Sequence, residues 1–372
     1  MDEKLKKIVY IGLGVCIIIF LFLFIITSCD KKMKPKDLEL KIVTNAKKYY
    51  KKHTDELPSE NGILSVSLDE LTEKGIIKEV SKLIDKKTTC SGSLTIENNN
   101  DYYMYSPNLT CTSEKETYQS ENLKDTLLEN IVNEGNGLYK IGNAYYFRGD
   151  EVDNNLIFDG IKWKITKINE DGTIRLIENV RRRNVVWDDR YNEEKRTTSG
   201  RNSYIYNGMN SRIKETLDDI YNSETVLSND GKGYIKKTNL CIGKRSEEDT
   251  INDGSIECSE TLNNQYLGLL QVNEYMLASL DAGCTKTTSQ SCKNYNYLAT
   301  FNNTYWTITA DKTNTHKVFK INTTPYSTNA SSSGLAKIVI NISENTSVTG
   351  TGTEDDPYLV VGFDNELKDF KK

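Results

Sequence analysis

The chain has 372 residues, 37% hydrophobic and 27% charged, with a formal net charge of −5. That length accommodates two or three domains with packed cores. The small charge, with Lys and Arg dispersed among acids, argues against a nucleic-acid partner, and the basic triplet Arg181, Arg182 and Arg183 reads as a solvated loop.

The first predicted element is an uncharged run, residues 8–28. At the rise of an α-helix it extends about 31 Å, close to the thickness of a bilayer's hydrocarbon core. The run closes on Ile26-Thr27-Ser28-Cys29: an aliphatic residue, two small ones, then cysteine. This ending resembles the bacterial lipoprotein signal, and the resemblance implies that Cys29 is lipidated and that what precedes it is removed. A retained transmembrane helix is the alternative. Flanking charge does not orient such a helix, because Lys4, Lys6 and Lys7 precede the run and Lys31, Lys32, Lys34 and Lys36 follow it. Either way, residues 1–29 are read as a single N-terminal membrane anchor at a cell membrane, with the bulk of the chain extracellular.

Apart from Cys16 and Cys29, the cysteines fall into local pairs: Cys90 with Cys111, Cys241 with Cys258, and Cys284 with Cys292. An even count, local spacing and an export-type N-terminus predict three disulfides in an oxidising compartment. No pair has C-x-x-C spacing and the chain holds only His53 and His316, so neither a metal site nor a cofactor is expected.

Residues 37–111 read as a small α+β domain. Leu38, Ile42, Ala46, Tyr49 and Tyr50 recur at helical spacing over 37–52. Ser67 and Glu70 form a capping-box pattern for a short helix that Gly75 ends. Residues 90–111 read as two strands about an Asn-rich turn, with Cys90 and Cys111 just outside them. The order of apolar segment, long helix, short helix and cysteine-closed hairpin resembles the heads of pseudopilins and minor pilins. The chain lacks the glycine and acid of a prepilin peptidase site, so no pilin residue is carried over. Residues 112–137 read as a helical linker, with Leu123, Leu127, Leu128, Ile131 and Val132 on one helix face.

Residues 138–361 read as a larger, mostly β domain, and 362–372 as a charged tail. Asp159-Gly160 and Asp171-Gly172, set between alternating hydrophobics, predict hairpins, with Ile161, Trp163 and Ile165 facing inward. Helices are expected over 211–221 and 272–280, long loops carry the second and third cysteine pairs, and late strands cover 305–310, 316–321 and 336–342. The ordered elements "IKWKITKINEDGTIRLI", "YIYNGMNSRIKETLDDIY", "YLGLLQVNEYMLAS", "YWTITA" and "AKIVINI" resemble uncharacterised domains of surface proteins in low-GC Gram-positive bacteria. Their layout is similar to the formylglycine-generating-enzyme and C-type-lectin-like folds. The oxidase's paired active-site cysteines have no match, and its activity is not implied. The predicted fold class is therefore α+β, an anchor followed by a helix-plus-hairpin domain and a C-type-lectin-like domain with two helices.

The binding candidates are few. Trp187, Asp188, Asp189 and Arg190 put an aromatic face beside hydrogen-bonding groups, the chemistry of sugar contact. Adjacent carboxylates on an extended chain point to opposite faces, so Asp188 and Asp189 cannot flank one glycosidic bond. Tyr295 and Tyr297 on one face of an extended segment would make a platform, and Trp306 is a third aromatic candidate. No nucleophile–base or metal constellation is legible, so the chain is read as a non-enzyme. The leading expectation is binding or adhesion, to cell-surface glycan or an envelope protein. A structural part in a pilus-like or secretion assembly comes second, and an envelope enzyme third.

Overall fold

The computed structural model describes residues 32–180, 184–300, 303–363 and 366–368. The anchor with Cys29, the Arg181–Arg183 triplet and most of the charged tail lie outside the described residues. Among the described residues, no helix is long and apolar enough to cross a membrane. The architecture is α+β and mostly β, built on two hydrophobic cores.

The first core forms under the helix Pro35–Tyr50. Proline suits the first helical position, where its missing N–H costs nothing. Leu38, Ile42, Val43, Ala46 and Tyr50 are fully buried, a stripe at helical spacing. They pack on a four-stranded antiparallel sheet, in the order Ile63–Ser67, Thr89–Asn99, Tyr102–Thr112 and Thr117–Gln119. Ser67 ends the first strand and caps the helix Leu68–Glu73: its Oγ accepts from Glu70 N at 3.2 Å, and Glu70 Oε2 accepts from Ser67 N at 2.7 Å. The hairpin turns on Asn100 and Asp101, both left-handed, which matches the strands' twist. Cys90 and Cys111 lie within its strands rather than outside them. They face each other directly and are disulfide-bonded.

The second core lies between two sheets. One runs Val339–Ile342, Ile174–Glu178, Ile161–Ile168, Asn155–Phe158, Tyr358–Val360, Ser347–Thr349 and Glu121–Asn122, and the hairpin Gly137–Ile141/Ala144–Arg148 joins it at Ile161–Ile168. The predicted Asp159-Gly160 turn is present: both residues have φ near +60°, which glycine adopts without strain. Ile161, Trp163 and Ile165 are buried as expected. The other sheet runs Asn184–Val186, Ser333–Leu335, Tyr305–Asp311, Lys317–Ile321 and Pro325–Asn329. The helices Arg212–Asn222 and Val272–Ala278 stand where the apolar spacing put them. The Cys241–Cys258 disulfide closes a loop between these helices, and Cys284–Cys292 closes one after the second. Buried Arg245 joins those loops, its guanidinium meeting Glu257 Oε1 at 2.8 Å and Thr287 Oγ1 at 3.1 Å.

Residues 112–137 are not a free linker. Glu121–Asn122 pairs with Ser347–Val348, and Leu123 and Leu127 enter the second core. The helix there covers only Leu123–Leu128. Beyond it Ile131 bridges to Leu138 and Val132 N–H donates to Leu138 O at 2.9 Å, so the backbone is committed to strand-like pairing.

The two cores meet along a seam. Tyr234 Oη donates to Tyr105 O at 2.8 Å, Asn345 Nδ2 to Glu97 Oε1 at 2.7 Å, and Ser347 Oγ to Pro107 O at 3.1 Å. Met104 of the hairpin packs into the second core, and Val361 packs into the first.

Candidate functional site

The Trp187–Arg190 stretch is a structural corner. Trp187 is fully buried, its Nε1 donating to Thr307 O at 3.2 Å and its carbonyl accepting from Ile213 N at 2.8 Å. The second bond seats the start of the helix Arg212–Asn222. The indole therefore offers no face to a sugar, and its proposed stacking role is corrected to packing. Asp188 and Asp189 do point apart. Asp188 is buried and accepts from Arg190 N at 3.2 Å, while exposed Asp189 pairs with Arg212 Nε at 3.2 Å. Arg190 also donates to Glu215 Oε1 at 2.6 Å. Burial raises the Asp188 pKa, and the guanidinium of Arg190 opposes that shift.

The other aromatic candidates disperse too. Tyr295 is exposed with a left-handed backbone, whereas Tyr297 is buried, so the two share no platform. Trp306 is buried in its strand, donates from Nε1 to Val185 O at 3.0 Å, and lies 4.0 Å beneath Lys320 Nζ. None of the singled-out aromatics lines the cleft at the seam or the cavity beside the helix Leu123–Leu128.

A cleft does open at the seam, built from residues that the sequence reading treated as framework. It encloses about 330 Å³ and is lined by Tyr50 of the long helix, Tyr102, Tyr103 and Tyr105 of the hairpin, and Asp101 and Asp230. Tyr103 and Tyr105 sit two apart on one strand and so face the helix together. Tyr102 and Tyr103 are half-buried, while Tyr50 and Tyr105 form the buried floor. The Tyr50 hydroxyl is buried without a hydrogen-bond partner among the described residues. Burial first, and the carboxylate of Asp230 next, push the Tyr105 phenol well above its ordinary pKa, so it stays neutral and can donate.

Lys47 forms the rim. Its Nζ meets Asp230 Oδ2 at 2.9 Å and Gly362 O at 3.0 Å, and stands 4.4 Å over the Phe363 ring. Beyond it a shallower groove of about 550 Å³ continues along Leu40, Thr44 and Phe363. The seam thus presents tyrosines, the two carboxylates of Asp101 and Asp230, and the two lysines Lys47 and Lys51 around one concavity. A larger cavity of about 710 Å³ lies beside the helix Leu123–Leu128, lined by Glu121, Glu129, Glu151 and Asp153. Its aromatic neighbours, Phe147 and Tyr358, are buried in the core. Among the described residues no cluster of His, Cys, Asp or Glu could hold a metal ion.

The sequence carried a signal for the seam cleft. Tyr102, Tyr103 and Tyr105 crowd the hairpin turn, and Tyr49-Tyr50 end the helix packed on it. Neither group points to a site until the fold joins them. No family model, curated protein or solved structure matches the chain.

Proposed function

We propose that this chain is an extracytoplasmic binding module, tethered to a membrane through residues 8–29, and that its seam cleft takes a neutral sugar. The carrying observation is the convergence of four tyrosines with Asp101 and Asp230 on one concave space. A pyranose has an apolar face that an aromatic ring covers and hydroxyls that carboxylates and phenols hydrogen-bond, and about 330 Å³ lies at the small end of ligand cavities. Location at the junction of two cores is also where such sites concentrate. The three disulfides favour an oxidising compartment. With the lipoprotein-like ending at Cys29, they support placement outside the cytoplasm. The order of hairpin, Ser211-capped helix, irregular disulfide-bearing middle, Trp306 strand and closing strand supports a C-type-lectin-like layout for the larger unit.

The test is a glycan array probed with the full chain, followed by titration of the best binder against Tyr103→Ala. The expected outcome is binding that the variant weakens at least tenfold, with disulfides and far-UV spectrum unchanged. No glycan bound by the wild type, or equal affinity in the variant, removes the sugar reading. A structural role in a pilus-like assembly keeps one supporting observation, the helix-on-sheet packing of the first unit. Co-purification of the chain with such an assembly would favour that role.

A further inference from the structure

The cavity beside the helix Leu123–Leu128 gathers charge that the described residues leave unanswered. Glu121 comes from the short strand Glu121–Asn122, Glu129 from the end of the helix, and Glu151 and Asp153 from the loop between Ala144–Arg148 and Asn155–Phe158. All four are exposed, and none makes an ion pair or a side-chain hydrogen bond among the described residues. No described lining residue is a lysine or an arginine. Asp153 favours the charge on half-buried Lys164 without pairing with it. Partial burial first, then Glu129 and Asp356, raise the Glu121 pKa, so the acids act on one another. Glu129 also stands at a helix C-terminus, where a cation rather than an anion is favourable. Such placements cost the fold stability.

A second observation is Tyr358. It is 3% exposed and lines the same cavity. Its hydroxyl makes no hydrogen bond among the described residues, yet it is not sealed in the core, so it opens on the cavity. Gly352 makes room for the ring: a Cβ there would stand 2.4 Å from Tyr358 Cε2, and its φ of +81° suits glycine. Burial first, then Asp153 and Glu121, raise the phenol pKa to about 12, so at neutral pH its oxygen is a neutral acceptor.

We propose that this cavity binds a linear oligoamine, a chain of ammonium groups joined by methylenes. Carboxylates drawn from a strand, a helix end and a loop spread negative charge along the wall, and no cluster among the described residues converges on a metal ion. A ligand whose positive charges are themselves spread out matches that wall. Its ammonium groups donate to the carboxylates in charge-assisted hydrogen bonds, and the Tyr358 oxygen accepts a further N–H. Between the charges, the methylenes lie against Ile131, Val132 and Leu138. Ile131 is exposed there, so it has apolar surface to cover. A volume of about 710 Å³ lies in the range of small-ligand cavities. The cavity shares no residue with the seam cleft, so it stands or falls apart from sugar binding.

The full chain is titrated with spermidine by calorimetry at neutral pH and low salt. Hexaamminecobalt(III) is the control: it carries the same charge and also donates from N–H groups, but it is compact. We expect a single saturable spermidine site, at least about tenfold tighter than the cobalt complex. The double variant Glu129→Gln/Glu151→Gln weakens spermidine about tenfold, and Tyr358→Phe, which keeps the ring, weakens it about threefold. The free double variant also melts at a higher temperature than the wild type, because its loss of charge relieves repulsion that only a bound cation otherwise relieves. Failure of spermidine to saturate a site, equal affinity for the cobalt complex, or unchanged spermidine affinity in the variants overturns the proposal. A lower melting temperature of the free double variant overturns it too, since the acids would then be structural. The wild-type comparison of the two cations decides the matter even where a variant fails to fold.

Discussion

Glu39 carries a carboxyl group into the first core. Ser120 Oγ donates to it and Tyr118 lies beside it, yet no cation among the described residues pairs with it, and burial raises its pKa to about 7 from an ordinary 4.5. Below pH 4.5 the group is protonated in folded and unfolded chains alike, and its contribution is fully present. Between pH 4.5 and 7 the unfolded chain loses the proton first, so stability falls as pH rises and levels off above 7. Glu39→Gln has no such term. Denaturant titrations at pH 4, 6 and 8 should show the wild type losing up to about 3 kcal/mol relative to the variant over that range. A pH-independent difference would sink this account. At this scale the sequence was least legible. Trp187 beside two acids and an arginine has the composition of a sugar site, and only its contact with Thr307, far along the chain, makes it core.

Elements were read best where their signals are local. The Ser211-capped helix, the Asp159-Gly160 hairpin and the three cysteine pairs depend on neighbours within a few turns of chain, and each is present. Two-residue strands such as Glu121–Asn122 are defined only by a distant partner and leave no periodicity to read. Past Leu128 the helix gives way to the pairing of Ile131 and Val132 with Leu138, where backbone bridging competes with a helical spacing the sequence shares. The hairpin Thr89–Asn99/Tyr102–Thr112 supplies three of the tyrosines of the seam cleft, and the Cys90–Cys111 bond spans 21 residues of it. Replacing both cysteines by serine should cost about 3 kcal/mol in the chain-entropy account, read as a lower denaturant midpoint with a steeper slope, because the uncrosslinked chain unfolds to a more expanded state. Sugar affinity should fall with it if the tyrosines lose their setting. An unchanged midpoint would mean that the ladder alone holds the hairpin.

The whole molecule departs from the two-domain reading in one respect: its cores exchange side chains. Met104 belongs by sequence to the first unit and by packing to the second, and Val361 does the reverse. Buried Glu97 of the hairpin accepts from Asn345 and pairs with Lys236, so separating the units would break both bonds across the seam. Thermal unfolding should therefore show one transition. Near-UV signal from the tryptophans, all in the second unit, should coincide with far-UV signal from the entire chain. Two separated transitions would mean that the seam is a contact between independent domains. Sequence reading set the units apart by the polar stretch 112–137, which closes on Asn133–Gly137, and composition carries no trace of a side chain borrowed from the far end.

Val361 has one more consequence, in the order of events. The helix Pro35–Tyr50 and its sheet leave a ribosome or a translocation pore long before residue 361 follows. Until then their core lacks its last member, and Val43 lacks the backbone of Gly362, which packs so closely that an added Cβ there would stand 2.4 Å from the valine. The first segment to emerge is thus among the last to be finished, and a chain interrupted before its final strand exposes the fault in its N-terminal unit.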